Sequence, residues 1–274
     1  MADTSNIATL KVATIVSWVL SVYGNVKYLV GRSPYDKHSP FNVGDTPFTA
    51  NIIVILAYWG FMYLLQILFV LQIFLRNLND YTTRSALTQS VGWHFTVFNL
   101  FSFVWSLLFA RKHFFWSEVI LILNLFNIWA VYLKNKTYKI KPLWHWILVH
   151  LPISAFPFSW LLYAIFWNGA VLFHVHKFVG RVVSNVLIWD FLLAPGFYLV
   201  VYNDWGIGIS SAWITFGLGL GQFFTKVFAL QWIFAFVIAG LLFVASIVAA
   251  VVGGFGLVAV ESDEVENAPL LQGA

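Results

Sequence analysis

The chain of 274 residues is 61% hydrophobic, 19% aromatic and only 9% charged, and its formal net charge is +4. Ordinary soluble domains carry roughly a quarter charged residues, so a lipid bilayer is the expected host for most of this surface, and the few dispersed cations argue against a nucleic-acid partner. Cysteine is absent, which excludes disulfides, thiolate metal sites, cysteine nucleophiles and palmitoylation.

The apolar runs predict an all-α, polytopic transmembrane bundle of about eight helices, or seven if the first or seventh is only interfacial. Residues 1–260 form one membrane domain in this reading, and residues 261–274 form an acidic, disordered tail. The stretch from Met1 to Ile7 lacks the basic residues and small-residue cleavage site of a removable signal peptide, so the first apolar segment, about Ile7 to Val30, is expected to stay as an anchor. A polar loop rich in turn formers (Pro34, Asp36, Pro40, Asn42, Gly44) leads to the second crossing, about Phe48 to Leu75. The third, about Val91 to Ala110, and the fourth, about Phe114 to Leu133, are separated only by Arg111, Lys112 and His113 and are predicted to form an antiparallel hairpin. Lys134, Lys136, Lys139 and Lys141 then make the densest basic cluster, expected in a solvated loop.

Leu143 to Phe173 is too long for one upright helix and contains Pro152 and Pro157, which predicts a kink or an interfacial lead-in. The sixth crossing, about Val182 to Tyr202, holds Asp190 and Pro195 and ends at Asn203 and Asp204. From Gly206 to Val260 a single helix would run about 80 Å at 1.5 Å per residue, so the chain is expected to turn back near Gln222 to Lys226 and give two more crossings. Gly217 with Gly221, and Ala245, Ala249 and Gly253, put small residues on one face of each of these helices. Internal packing is the first reading of such faces and a homodimer the second.

The balance of Lys and Arg between the two sides does not fix the orientation. The tail carries Glu266, Leu270 and Leu271 in the pattern of an acidic dileucine signal, with Pro269 favouring an extended peptide. Read by a clathrin adaptor, it places both termini in the cytosol and the protein in a vacuolar or endosomal membrane, with the plasma membrane as the alternative; a merely solubilising tail is the competing reading. Asn135-Lys136-Thr137 matches a glycosylation sequon, but lies in the loop that the tail assigns to the cytosol. One of the two signals is idle.

Asp190 is the leading single candidate for function, because an aspartate inside an apolar helix costs about 2.5–3.5 kcal/mol on insertion scales. A bond to a neighbouring helix, or a place nearer the interface, is an equal reading. Glu118, within two turns of Arg111 and Lys112 at the start of its helix, reads as an interfacial ion pair or a helix-start acid rather than a proton relay. His145, His150, His174 and His176 include a His-x-His pair, beside Lys177 and without a carboxylate motif, for which a metal role is the minor reading. Trp144 and Trp146 read as interface belt residues, whereas Trp59, Trp105, Trp160 and Trp167 fall inside helices, where packing comes first and a flat apolar ligand second. No Walker, G-x-S-x-G, H-E-x-x-H or paired-carboxylate pattern occurs, so neither an enzyme nor a bound cofactor is expected.

Thr46-Pro47-Phe48-Thr49 followed by Tyr58-Trp59-Gly60-Phe61-Met62-Tyr63-Leu64-Leu65, Asn99 with Trp105-Ser106-Leu107-Leu108-Phe109, and His150 to Asn168 with its prolines and Trp160 resemble helices of the tryptophan-rich sensory protein (TspO/MBR) family. Tyr163-Ala164-Ile165-Phe166-Trp167-Asn168-Gly169-Ala170, Gly221-Gln222-Phe223-Phe224-Thr225-Lys226 and Leu230-Gln231-Trp232-Ile233-Phe234-Ala235-Phe236 resemble an uncharacterised fungal family of multi-pass membrane proteins. The TspO-like resemblance implies a porphyrin- or sterol-like lipophilic ligand held between helices, lined by Trp59, Tyr63, Asn99, Trp105, Trp160, Trp167 and Asn168. Three functions are therefore expected: a lipophilic-ligand binder or transporter, a proton-coupled solute transporter using Asp190, or a non-catalytic membrane scaffold.

Overall fold

A computed structural model of the chain describes residues 2–30, 46–75, 84–140, 143–175, 178–225 and 230–252. The acidic tail with Glu266, Leu270 and Leu271, together with Lys141, His176, Lys177, Lys226 and Gly253, lies outside the described residues. Among those described, the chain is helical and no strand occurs.

The helices are α1 (Ala2–Gly24), α2 (Ile52–Leu75), α3 (Arg84–Ala110), α4 (Phe114–Asn135), α5 (Leu143–His150), α6 (Phe156–Leu172), α7 (Phe178–Leu187), α8 (Asp190–Tyr202), α9 (Trp205–Thr225) and α10 (Gln231–Val252). Wider π turns follow α1 at Asn25–Val30 and join α5 to α6 at Leu151–Ala155. Seven stretches of the described residues are long and apolar enough to cross a membrane: Ile52–Gln72, Val91–Ala110, Phe114–Asn135, Leu143–Leu172, Val179–Tyr202, Trp205–Thr225 and Gln231–Val252. They match the second to eighth predicted crossings. The chain is an integral membrane protein by this measure, and its surface agrees, since Ile53, Phe115, Phe126, Leu193, Phe224 and Val251 face outward where lipid, not water, is the compatible neighbour.

Two expectations change in detail. The sixth crossing is not one helix: α7 ends at Leu187, a turn closed by bonds from Trp189 N to Val186 O (3.2 Å) and from Phe191 N to Ile188 O (3.1 Å) follows, and α8 begins at Asp190. Gln222 to Thr225, expected in the return between the last two helices, belong to α9, which runs to Thr225, and α10 starts at Gln231. Arg111, Lys112 and His113 form the expected tight turn, exposed and with Lys112 in the left-handed region (φ 62°).

Small residues set the packing where backbones approach. A Cβ at Gly24 would lie 2.7 Å from Phe103, which is how α1 seats on α3, and a Cβ at Gly221 would lie 2.5 Å from the backbone oxygen of Thr49. Gly217 and Gly221 therefore receive the start of α2 inside the chain, where Asn51 N donates to Gly217 O (2.8 Å) and Gln222 Nε2 to the carbonyls of Thr46 and Thr49 (both 2.9 Å). The same Asn51 caps α2 through its side chain, accepting from Ile53 N at 3.0 Å.

The proline segment is the most buried of the seven. Other helices donate to the carbonyls of this interrupted stretch: Gln66 Nε2 to Pro152 O (3.4 Å), Tyr58 Oη to Phe156 O (2.8 Å) and Ser210 Oγ to Ala155 O (3.1 Å). Irregular backbone at membrane depth persists only where protein supplies such partners.

Candidate functional site

His150 is the last residue of α5, fully buried, and two residues ahead of Pro152. Its Nε2 lies 3.1 Å from Oδ1 and 3.0 Å from Oδ2 of Asp204, which is also buried. Asp204 occupies the junction between α8 and α9. Asn203 takes the left-handed conformation (φ 56°) that ends α8, and Asp204 Oδ1 accepts from Ile207 N at 3.2 Å to cap α9. Tyr132 of α4 donates its hydroxyl to Asp204 Oδ2 at 3.0 Å. On the other side of the ring, His150 Nδ1 is 2.9 Å from Thr137 Oγ1, and Thr137 Oγ1 is 2.9 Å from Ser154 Oγ in the π turn.

The donor inventory assigns this chain of bonds. A carboxylate only accepts, so His150 Nε2 carries hydrogen toward Asp204, and in the neutral ring Nδ1 accepts from Thr137, which accepts from Ser154. Protonating the imidazole makes Nδ1 a donor, and the Thr137 and Ser154 hydroxyls then turn to pass their hydrogens the other way. The direction of this chain of bonds can therefore reverse by hydroxyl rotation alone. Trp146 stacks on His150 (centroids 4.8 Å apart, 28° between planes) and Trp205 stacks on Trp146 at 4.3 Å. Gly206 admits that stack, because a Cβ there would lie 2.8 Å from Trp146. Tyr138, in the turn before the site, rests on Tyr132 at 5.0 Å; its hydroxyl is pushed above the ordinary phenol value by burial, with Tyr202 adding to it. Among the described residues no third His, Cys, Asp or Glu joins His150 and Asp204 in a metal-ligand set.

The sequence reading grouped His150 with three other histidines and treated Asp204 as the end of a crossing. The available signal was the pairing of a histidine inside an apolar run with an Asn-Asp junction between two apolar helices. Trp146, expected in an interface belt, is buried by its stack on His150, whereas Trp144 is exposed as expected.

The four interior tryptophans do meet. Trp160 receives Trp59 at 4.8 Å and Trp105 at 5.8 Å, both edge-on, while Trp167 lies 6.4 Å from Trp105 and 4.8 Å from Phe109. All four are at most 4% exposed, so the rings fill the space among α2, α3 and α6 themselves. The indole nitrogens of Trp59 and Trp105 are buried without a partner. The other residues expected in the pocket have these surroundings. Tyr63 faces α1, with its hydroxyl bonded to Asn25 and 3.4 Å from Ser21. Asn99 is buried on α3, where its Nδ2 donates to Phe95 O at 3.0 Å. Asn168 is held by Ser117 (2.6 Å), Glu118 (2.6 Å) and Phe114 O (3.0 Å). Asp190 is half-buried as the first residue of α8, where a helix start favours an acid.

Residues 181–271 match a family model described as a fungal protein of unknown function (DUF1774). Over 207 residues the chain is 30% identical to the uncharacterized protein C637.03 of Schizosaccharomyces pombe, covering 74% of this chain and 73% of that one. The chain belongs to this fungal family. No solved structure matches it. Within the DUF1774 match lie Asp190, Asp204 and the α9–α10 hairpin, while His150, Tyr132 and the tryptophan cluster precede it.

Proposed function

We propose that this protein is a proton-linked membrane transporter for a lipophilic small molecule, with His150 and Asp204 as its proton site. The observation that carries the reading is the buried His150–Asp204 pair at the π turn of a proline-interrupted helix. Ionisable groups inside membrane bundles are costly and mark proton or substrate paths, interrupted helices mark sites in transporters, and π turns concentrate where function requires an altered backbone. The expected transport role of Asp190 passes in this proposal to Asp204, which has the histidine partner.

The second reading, a TspO-like ligand pocket, draws on the convergence of Trp59, Trp105, Trp160 and Trp167 with two unpartnered indole donors. It joins the first if the lipophilic substrate parts these rings as it passes. In the proposed topology α1 is an eighth crossing, because its 23 residues span about 34 Å and Val12, Val16 and Val19 face outward. Both termini and the His150–Asp204 pair then share one side, the cytosolic side of a vacuolar or endosomal membrane if the dileucine signal is read.

The test uses Trp146 as a built-in reporter, since an imidazolium stacked on an indole quenches it. The fluorescence difference between the wild type and Trp146→Phe is expected to fall on acidification and to lose its pH response in His150→Gln. An unchanged pH response in His150→Gln contradicts the proposal.

A further inference from the structure

A second intramembrane carboxyl stands at the opposite end of the same helices. Glu118 lies in the second turn of α4, and Tyr132, which contacts Asp204, lies fourteen residues further along that helix, about 21 Å at 1.5 Å per residue. On the partner segment, His150 and Asn168 are separated in the same sense, with Trp160 between them. The two polar centres therefore flank the tryptophan cluster, one toward each end of the α4–α6 pair.

Glu118 is not tied to the basic turn as the sequence suggested. Its Oε2 accepts from Asn168 Nδ2 at 2.6 Å, and the amide is fixed in that orientation because its second hydrogen goes to Phe114 O, which only accepts, while its oxygen takes the Ser117 hydroxyl. Asn168 and Ser117 are fully buried, whereas Glu118 is partly accessible. Gly169 of α6 lies beside Oε1, and a Cβ there would meet that oxygen at 3.8 Å, an ordinary contact distance. The other titratable groups on the neighbouring elements are set apart: Arg111, Lys112 and His113 are exposed in the preceding turn, His94 of α3 bonds Asn127 at 2.7 Å, and Tyr163 of α6 bonds Ala50 N at 3.2 Å.

We infer that Glu118, held by Asn168 and Ser117, is a second proton-exchange site at the end of the bundle remote from His150–Asp204. The inference rests on the transporter reading and adds the other station that proton-linked transport requires. A buried amide holding one carboxylate oxygen of a partly accessible side chain suits a group that gains and loses a proton without moving its helix.

Dicyclohexylcarbodiimide tests it, because the O–H of a protonated carboxyl in apolar surroundings adds across its C=N bond and the adduct rearranges to a stable N-acylurea. The purified full chain is expected to give a labelled peptide containing Glu118, with a yield that falls as pH rises, and to lose that adduct in Glu118→Gln, which keeps the side-chain shape. Ser117→Ala, a smaller change than removing Asn168, is expected to alter the pH range of labelling. No adduct at Glu118 at any pH at which the protein stays folded overturns the inference. The Trp146 signal in the same sample reads His150 separately: its pH response intact with Glu118 unlabelled removes only the second site, and its loss of pH response removes the transporter reading itself.

Discussion

His150 and Asp204 are separated by 54 positions in the chain, yet the imidazole Nε2 lies within hydrogen-bonding distance of both carboxylate oxygens, with both side chains sealed from the surface. That contact ties the end of α5 to the start of α9, and Tyr132 adds α4. Asp204 also caps α9, so the two variants Asp204→Asn and Asp204→Ala separate its roles. Asparagine retains an oxygen for Ile207 N and turns its NH2 toward the Tyr132 hydroxyl, whose oxygen can accept, whereas alanine strands three buried donors and removes a cap that contributes about 1 kcal/mol. Thermal unfolding of the detergent-solubilised protein is expected to fall clearly for Asp204→Ala and much less for Asp204→Asn; equal losses would contradict the capping role.

Gly221 and Gly60 make a paired test of packing. Alanine at Gly221 brings a Cβ to 2.5 Å from Thr49 O and 2.7 Å from Asn51 N, all backbone that cannot yield, whereas Gly60 has nothing within 4 Å. On intrinsic helix preference alone each change favours the folded state by about 1 kcal/mol. Gly60→Ala is therefore expected to hold or raise the unfolding temperature and Gly221→Ala to lower it, as a thermal-shift assay would read.

The tryptophan cluster gives an optical prediction. If a flat lipophilic molecule enters among Trp59, Trp105 and Trp160, titration with a porphyrin is expected to quench intrinsic fluorescence, with apparent affinity weakened at least several-fold in a Trp105→Phe, Trp160→Phe double variant. Quenching of unchanged affinity in that variant would remove these rings from the ligand site.

The absence of native cysteine makes topology directly measurable. Ser5→Cys and Ser262→Cys are expected to react with an impermeant maleimide from one side of sealed vesicles, and His113→Cys from the other. Opposite sidedness for the first two would reduce the crossings to seven.

Much of this fold was legible because a bilayer leaves the backbone few options. The Arg111–His113 turn, the proline-interrupted fifth segment and the separation of α9 from α10 all followed from segment length and breakers. The break ahead of Asp190 did not, because no glycine or proline marks Ile188 or Trp189. The interior tryptophans were recognised as a group, yet periodicity along one helix does not reveal that rings from three helices fill their own space. Tyr63 was assigned to that group through a resemblance, and its hydroxyl turns instead to Ser21 and Asn25 at the end of the first helix. The His150–Asp204 pair escaped because its partners are far apart in sequence and each has an ordinary local reading, a helix-end histidine and a helix cap.

Charge movement after a pH jump, recorded on vesicles containing the purified protein, tests the proton site most directly. A transient current is expected in the wild type and is expected to vanish in Asp204→Asn when that variant unfolds near the wild-type temperature. A current of the same size in a folded Asp204→Asn would contradict a proton site at His150 and Asp204.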